Sequence, residues 1–346
     1  MNDKTYIILV NWNGWEDTLE CLESIFNLSR KDFRVLVCDN GSQDDSLNKI
    51  KEWAEGTREA RISEKRMGKY SLPKTNKPVS YQLLTKTQVE SGEIAAHSQL
   101  ILIDCQKNLG FAGGNNIGLR YALLQNDMTW CWLLNNDTVV EQNALTELIK
   151  KGVANPRIGI TGSTIIYYNQ TNKVQAFGGA RYFSCIGLAM HIGRFNSQLK
   201  ATNENKIEKH LSYILGASMF VSRDFLRKIG LMSEDYFLYY EELDWAQRSK
   251  SQYSLAYASK SLVFHKAGSS IGSSNKASQR SMLADYYLMS NRLKITQRFF
   301  PYCNFSVRLF LGVEMVIRLL KRQPKKARII WGLIIDKSTN KFTSNE

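Results

Sequence analysis

The run Trp130-Cys131-Trp132-Leu133-Leu134-Asn135-Asn136-Asp137 delivers three oxygen-bearing side chains at the end of an apolar stretch. A hard divalent cation such as Mg2+ or Mn2+ takes one or two protein carboxylates and completes its shell with phosphate oxygens and water. Asp137 can supply the carboxylate and Asn135 a polar contact. The plain structural alternative is that Asp137 caps the next helix, but the helical pattern resumes only several residues later, from 143. A second acidic run, Tyr239-Tyr240-Glu241-Glu242-Leu243-Asp244-Trp245, sets three carboxylates among aromatics. Adjacent like charges and an apolar wall both raise a carboxyl pKa, the setting in which it becomes a useful general base. An exposed acidic turn at a helix start would also use such carboxylates. It would not need Phe237, Tyr239, Tyr240 and Trp245 around them.

Residues 108–116, Asn-Leu-Gly-Phe-Ala-Gly-Gly-Asn-Asn, read as a glycine-rich loop before a helix. Such loops let backbone N–H groups approach phosphate, although turn chemistry alone accounts for the glycines equally well. The spacing fits neither GxGxxG nor a P-loop, which argues against dinucleotide and ATPase chemistry. His265 closes the short apolar run 261–265. A lone histidine is most often a packed or surface residue, yet imidazole also suits Mn2+ sites.

The elements that must position these groups alternate in type. Short apolar runs at 6–10, 33–38, 100–104 and 130–134 read as buried parallel strands, and helical spacing follows at 17–28, 46–53, 117–125 and 143–151. That alternation predicts a doubly wound α/β sheet. Ligands of such sheets sit beyond the carboxyl ends of the strands. Those ends here carry Asn11 and Asn13, Asp39 and Asn40, Asn108, and Asn135-Asn136-Asp137. Residues 55–98 break the rhythm and read as an insertion at the sheet edge. Further on, 158–166 and 178–182 suggest strands, 212–222 a strand entering a helix cap, 223–229 a helix and 281–300 a long helix.

The 346 residues carry 46 Lys+Arg against 32 Asp+Glu, a net charge of +14. Such a balance suits nucleic acid, an anionic membrane or phosphate-bearing substrates. No nucleic-acid-binding motif accompanies it, so nucleic acid is not expected as a partner. The six cysteines, without a CxxC pair, read as reduced, buried thiols. No secretion signal is visible, and the C-terminal run 310–320 is broken by Glu314 and Arg318, so no spanning helix is expected. Beyond residue 300 basic and apolar residues mix, a composition that lets helices lie on an anionic leaflet. The expected location is cytoplasmic, peripheral on the inner face of the membrane.

Taken in order, these motifs resemble the inverting glycosyltransferase family 2, of GT-A fold, and within it the rhamnosyltransferase-like bacterial branch. The resemblance is carried by Val10-Asn11-Trp12-Asn13-Gly14, by residues 39–44, by 108–116, by Leu134 through Thr138, by Gly216-Ala217, by the Glu-Glu-Leu-Asp-Trp run, by His265, and by Tyr286-Tyr287 with Asn291-Arg292. It implies a GT-A domain over 1–300, with a mostly parallel sheet flanked by helices, and a basic amphipathic helical extension over 301–346. It further implies transfer of a sugar, rhamnose in that branch, from a nucleotide diphosphate to a hydroxyl of a glycan or polyprenyl-diphosphate-linked acceptor. Asn11, Asn13, Asp39, Asn108, Gly110, Phe111, Ala112, Asn115, Asn135 and Asn136 would then contact the nucleotide sugar. Asp137 and His265 would hold Mg2+ or Mn2+. Glu242 would be the base, with Glu241 and Asp244 beside it. The family more often has Asp at the base position, which keeps Glu241 in competition, and the 55–98 insertion has no counterpart in its common pattern. A rival reading is an inactive nucleotide-sugar-binding protein.

Overall fold

The computed structural model describes residues 4–92, 98–196, 203–266 and 281–335. Its first half follows the expected alternation: β1 (Lys4–Asn11), α1 (Trp15–Phe26), β2 (Phe33–Asp39), α2 (Ser46–Glu55), α3 (Gly68–Ser71), β3 (Tyr81–Thr85), α4 (Lys86–Glu90), β4 (Leu100–Asp104), α5 (Gly110–Leu124) and β5 (Met128–Leu134). Strands β1 and β2 are apolar almost throughout because both of their faces are covered. Ile7, Leu9, Val35 and Val37 meet Leu22 and Ile25 of α1 and Trp53 of α2. Tyr6, Ile8, Leu36 and Cys38 meet Ile117 and Tyr121 of α5. This two-sided burial explains why the strands read as continuous apolar runs rather than alternating ones.

The chain continues through β6 (Thr138–Val140), α6 (Ala144–Val153), β7 (Ile158–Tyr167), β8 (Gln170–Phe177), β9 (Gly179–Phe183), β10 (Leu188–His191), α7 (Glu204–Glu208), β11 (Tyr213–Ile214), β12 (Ser218–Ser222), α8 (Arg223–Ile229), α9 (Glu241–Ser249) and β13 (Ser254–His265). The large sheet runs β3-β4-β2-β1-β5-β12-β7-β13-β6, with β8 beside β7. Strands β3, β4, β2, β1 and β5 are mutually parallel, and β12 enters antiparallel between β5 and β7. A small sheet, β10-β9-β11, forms apart from it. The expected mostly parallel α/β sheet is therefore present.

Several local features differ from expectation. The expected insertion supplies an edge strand, β3, paired in register with β4. Helix α5 begins at Gly110 rather than Ile117, so the glycine-rich segment forms its first two turns instead of a loop. Gly110 itself has φ +72, and a side chain there would meet the Phe237 carbonyl at 2.2 Å. A Cβ on Gly114 would lie 2.8 Å from Cγ1 of Val10. These glycines bring helix and neighbouring backbone together. Among the six free cysteines Cys185 is exposed, against expectation, with its Sγ 3.5 Å from that of Cys303.

Helices α10 (Met282–Phe299), α11 (Asn304–Leu320) and α12 (Pro324–Ile335) end the described chain. They enclose their own core of Met289, Leu293, Val307, Leu311, Ile330 and Leu333. Buried ion pairs tie them together: Arg318 and Lys326 both reach Asp285, at 2.8 and 2.9 Å, and Arg292 reaches Glu314 at 3.1 Å. No helix among the described residues is long and apolar enough to cross a membrane.

Candidate active site

Parallel pairing brings the ends of β1, β2 and β5 to one edge, where side chains close into a network. Asn11 donates to Asp39 Oδ2 at 2.7 Å and to Ser42 Oγ at 3.1 Å, and its own oxygen accepts from Thr18 at 2.8 Å. Asp39 Oδ1 accepts from the Ser42 backbone N–H at 3.0 Å. Asn13, at φ 49, accepts from the Gln43 N–H at 2.7 Å and so shapes the loop after β2. Asn40 donates to Asn108 and to the Gly110 carbonyl and accepts from the Leu109 N–H, locking the entry to α5. Four strand-end residues thus hold one another before any ligand arrives, as a preorganised site requires.

The first turns of α5 divide between pocket and core. Phe111 is half-buried, and its N–H donates to the Phe237 carbonyl at 2.9 Å. Ala112 is wholly buried, and the buried Asn115 bonds back to the Phe111 carbonyl at 2.9 Å. Ala112 and Asn115, expected at the donor, instead serve the helix and its packing.

Asn135, Asn136 and Asp137 point to three different tasks. Asn136 is buried and donates to Thr18, the Gly14 carbonyl and Asn11, stitching β5 to the β1 loop. Asn135 is half-buried beside His265, its Nδ2 3.3 Å from Nε2. Asp137 is buried with Oδ1 3.2 Å from the same Nε2. The antiparallel pairing of β6 with β13 causes this meeting, since it sets Thr138 opposite His265. Burial alone would raise the Asp137 carboxyl pKa, but His265 and the nearby Lys266 ammonium outweigh it and hold the carboxylate below its usual range.

His265 has a third partner that sequence reasoning missed. Its Nδ1 lies 2.9 Å from Oε1 of Gln175, a buried residue on β8. An acceptor at Nδ1 holds a proton there, so the neutral ring would offer its Nε2 lone pair to a cation shared with Asp137, in place of the Nε2–H contact that lowers the carboxylate's pKa. Two lone-pair donors 3.2 Å apart match the ~3 Å between adjacent ligands on an octahedral ion with ~2.1 Å bonds. The donor set, one carboxylate and one imidazole, suits Mn2+. No group of three or more His, Cys, Asp or Glu gathers among the described residues, so the other positions would fall to substrate oxygens and water.

The acidic run separates in the same way. Asp244 is fully buried, with Oδ1 held by Arg248 at 2.6 Å and Oδ2 by Arg298 at 2.8 Å and Tyr236 at 3.3 Å. The structure thereby removes it from the catalytic candidates: it anchors α9 to α10. Glu241 is buried, and burial followed by the charge of Glu242 pushes its pKa well up. Glu242 is half-buried, with Oε1 accepting from the Gly216 N–H at 3.2 Å. Burial raises its pKa to about 7. Gly216 precedes Ala217, whose carbonyl accepts from the Asn135 N–H at 3.2 Å. The carboxylate of Glu242 and the Asp137–His265 pair therefore flank the same end of β5.

The turn before Glu241 is held from outside the acidic run. Tyr239 and Tyr240 both adopt left-handed backbone, φ 70 and 75, and the buried Asn291 of α10 donates to the carbonyls of Leu238 and Tyr239. The Asn-Arg pair at 291–292 was visible in the sequence, but nothing there linked it to this turn.

Comparison with known proteins bears on this arrangement. Residues 6–71 and 86–230 match the sequence model of the family Glycosyl transferase family 2, leaving only 72–85 unmatched within the span. A curated relative, the low-salt glycan biosynthesis hexosyltransferase Agl10 of Haloferax volcanii, is 24% identical over 163 residues, 45% of this chain and 48% of that protein. The chain thus spans about half the length of that relative. Among solved structures, the mannosyltransferase PcManGT of Pyrobaculum calidifontis, in complex with GDP-Man and Mn2+, aligns with TM-score 0.52 at 12% identity over 97% of this chain and 88% of that one. TarS 1–349 of S. aureus with UDP-GlcNAc aligns with TM-score 0.51 at 13% identity over 96% and 81%. These likenesses establish the GT-A fold, and the family match covers well over half of the sequence: the chain belongs to glycosyltransferase family 2.

Proposed function

We propose that the chain is an inverting, divalent-cation-dependent hexosyltransferase that takes its sugar from a nucleotide diphosphate. The observation that carries this reading is the placement of the Asp137–His265 pair and Glu242 around one strand end. Family membership and the nucleotide sugars named with the similar structures support the donor class. The retained Asp137 and Glu242 disfavour an inactive binding protein.

Glu242 would take the proton of the acceptor hydroxyl as that oxygen attacks the anomeric carbon opposite the leaving diphosphate. The C–O bond to the diphosphate breaks as the new glycosidic bond forms, so a single displacement inverts the centre. Asp137 and His265 would hold the cation, which when bound neutralises charge on the leaving diphosphate. Asn135 borders that pair, Phe111 would contact the donor sugar, and Gly216 and Glu242 would meet the acceptor beside it. Asp39 keeps lone pairs free for the nucleobase beyond its two internal bonds.

The acceptor we propose is a glycan hydroxyl, presented on a polyprenyl diphosphate at the cytoplasmic face of a membrane during cell-surface polysaccharide synthesis. Residues 1–300 would form the transferase unit and 301–346 an extension that faces the membrane. dTDP-rhamnose is the first donor to test, followed by UDP- and GDP-hexoses. Thermal-shift screening with and without Mn2+ should reveal one nucleotide sugar that stabilises the protein only when the ion is present. No Mn2+-linked shift with any nucleotide sugar would refute the reading.

A further inference from the structure

Helix α11 has two opposite faces. Val307 and Leu311 turn inward to the helical core, and Glu314 and Arg318 turn the same way to meet Arg292 and Asp285. Phe305, Leu309, Val313, Val316 and Leu320 turn outward, with exposures of 80, 63, 50, 50 and 79%. At 100° per residue these five fall within an arc of about 80°. Tyr302, 83% exposed in the preceding turn, and Trp331 of α12, 52% exposed, add to the apolar surface. Scattered apolar residues are ordinary on a protein surface, whereas a continuous stripe marks a contact.

The charges on these helices say what kind of contact. Residues 304–335 hold seven basic side chains and one acid, Glu314. Arg318 and Lys326 are committed to Asp285, and Arg308 donates to the Leu333 and Ile334 carbonyls at the end of α12. Lys321, Arg322, Lys325 and Arg328 remain exposed. The apolar stripe of α11 thus runs directly into Lys321 and Arg322, the neighbouring α12 adds exposed Lys325 and Arg328, and the one acid is paired with Arg292. Like faces of two copies would add positive charge to positive charge.

We infer that this face docks on an anionic lipid bilayer. Helix α11 lies in the plane of the membrane, with its stripe at the boundary of headgroups and acyl chains and the four cations on lipid phosphates. Trp331 and Tyr302 suit the same depth, where one end of the ring is apolar and the other wet. This deepens the membrane location proposed above by naming the face that makes contact. Helix α10 touches both α11 and the Tyr239–Tyr240 turn, so the docking helix is linked to the turn before Glu242 through one helix.

Flotation of the full chain with vesicles tests the inference. Vesicles of phosphatidylcholine with about 30% phosphatidylglycerol should carry the protein upward, and pure phosphatidylcholine should not. A Phe305→Ser/Leu309→Ser variant should lose binding at least tenfold. A Lys321→Gln/Arg322→Gln/Lys325→Gln/Arg328→Gln variant should lose roughly 600-fold, since each basic residue near such a surface is worth about fivefold in partition. Thermal stability and turnover with a soluble acceptor should be unchanged in both. Wild type remaining unbound to anionic vesicles overturns the inference, as does a dimer in solution that Phe305→Ser dissociates. If instead every protein lacks transfer activity while flotation behaves as stated, the catalytic reading fails and the docking face stands.

Discussion

Asn291 holds the carbonyl of Tyr239 at 3.2 Å, from a helix some fifty positions further along the chain. The same amide takes the Leu238 carbonyl at 2.8 Å. Left-handed backbone at two successive tyrosines costs on the order of 1–3 kcal/mol each and persists only where the surroundings enforce it. Asn291→Ala should release the turn that orients Glu242 and lower kcat at least tenfold, with the donor KM changing little. Adding Tyr240→Gly, which accepts the left-handed conformation freely, should recover part of that loss. Unchanged kcat in Asn291→Ala would refute the positioning role.

Glu242 and Glu241 should behave oppositely. Glu242→Gln is expected to lower kcat by 10²-fold or more, a typical loss for an acid–base group, while Glu241→Gln should stay within a few-fold of wild type. The pH profile follows from the raised pKa of about 7. The base must be ionised, so kcat/KM should rise with pH up to about 7 and level off above it.

Stability should move the other way. A folded-state pKa above the unfolded value of ~4.3 favours the protonated native protein. That contribution is full below the unfolded pKa and is lost as pH rises through about 7. Glu242→Gln should therefore stabilise the fold at pH 8 by on the order of 1–3 kcal/mol. Urea denaturation at pH 5 and pH 8 measures the difference. Equal effects at both pH values would contradict the assigned environment.

Gln175 separates a structural from a metal-orienting role. Gln175→Leu removes the acceptor at His265 Nδ1 and should weaken Mn2+ affinity in the presence of nucleoside diphosphate by about 10–100-fold. Gln175→Glu keeps an acceptor there and should retain most of it. Titration followed by the Mn2+ electron paramagnetic resonance signal reads this without turnover. Asp137→Asn should lose more than either, and Mn2+ affinity unaffected by Asp137→Asn would remove the ion from this site.

The strands and the polar residues at their ends were legible because both faces of the sheet are covered, which leaves β1, β2, β4 and β5 as short apolar runs with abrupt polar stops. Asp137, His265 and Glu242 were legible as residue types at such stops. The long-range partners were not. Gln175 lies on β8, in a stretch without clear periodicity, and meets His265 across a gap of 90 positions. Asp244 looked catalytic because it stands in an acidic run among aromatics; its (i,i+4) partner Arg248 was within reach of the sequence, but Arg298 on a later helix was not. The amphipathic tail was visible as composition, but only the packing tells the committed cations Arg308, Arg318 and Lys326 from the exposed ones.

The glycines of α5 give the sharpest contrast between the two readings of one motif. A phosphate-cradling glycine would, when substituted, raise the donor KM and leave stability intact. The fold instead sets Gly114 against Val10, whose Cγ1 and Cγ2 would lie 2.8 and 3.2 Å from an added Cβ, with Asn40 Cγ at 3.4 Å. Gly114→Ala gains about 1 kcal/mol of helix propensity against an overpacking cost of roughly 1–3 kcal/mol. Net destabilisation with a small change in donor KM is therefore expected. Val10→Ala removes the obstructing methyls, so in the double variant the added Cβ should cost little or nothing. That coupling, measured as a double-mutant cycle in urea, should exceed about 0.5 kcal/mol, as contacting residues do. Additive effects would return Gly114 to the ligand, because a glycine kept for phosphate has no reason to sense the size of residue 10.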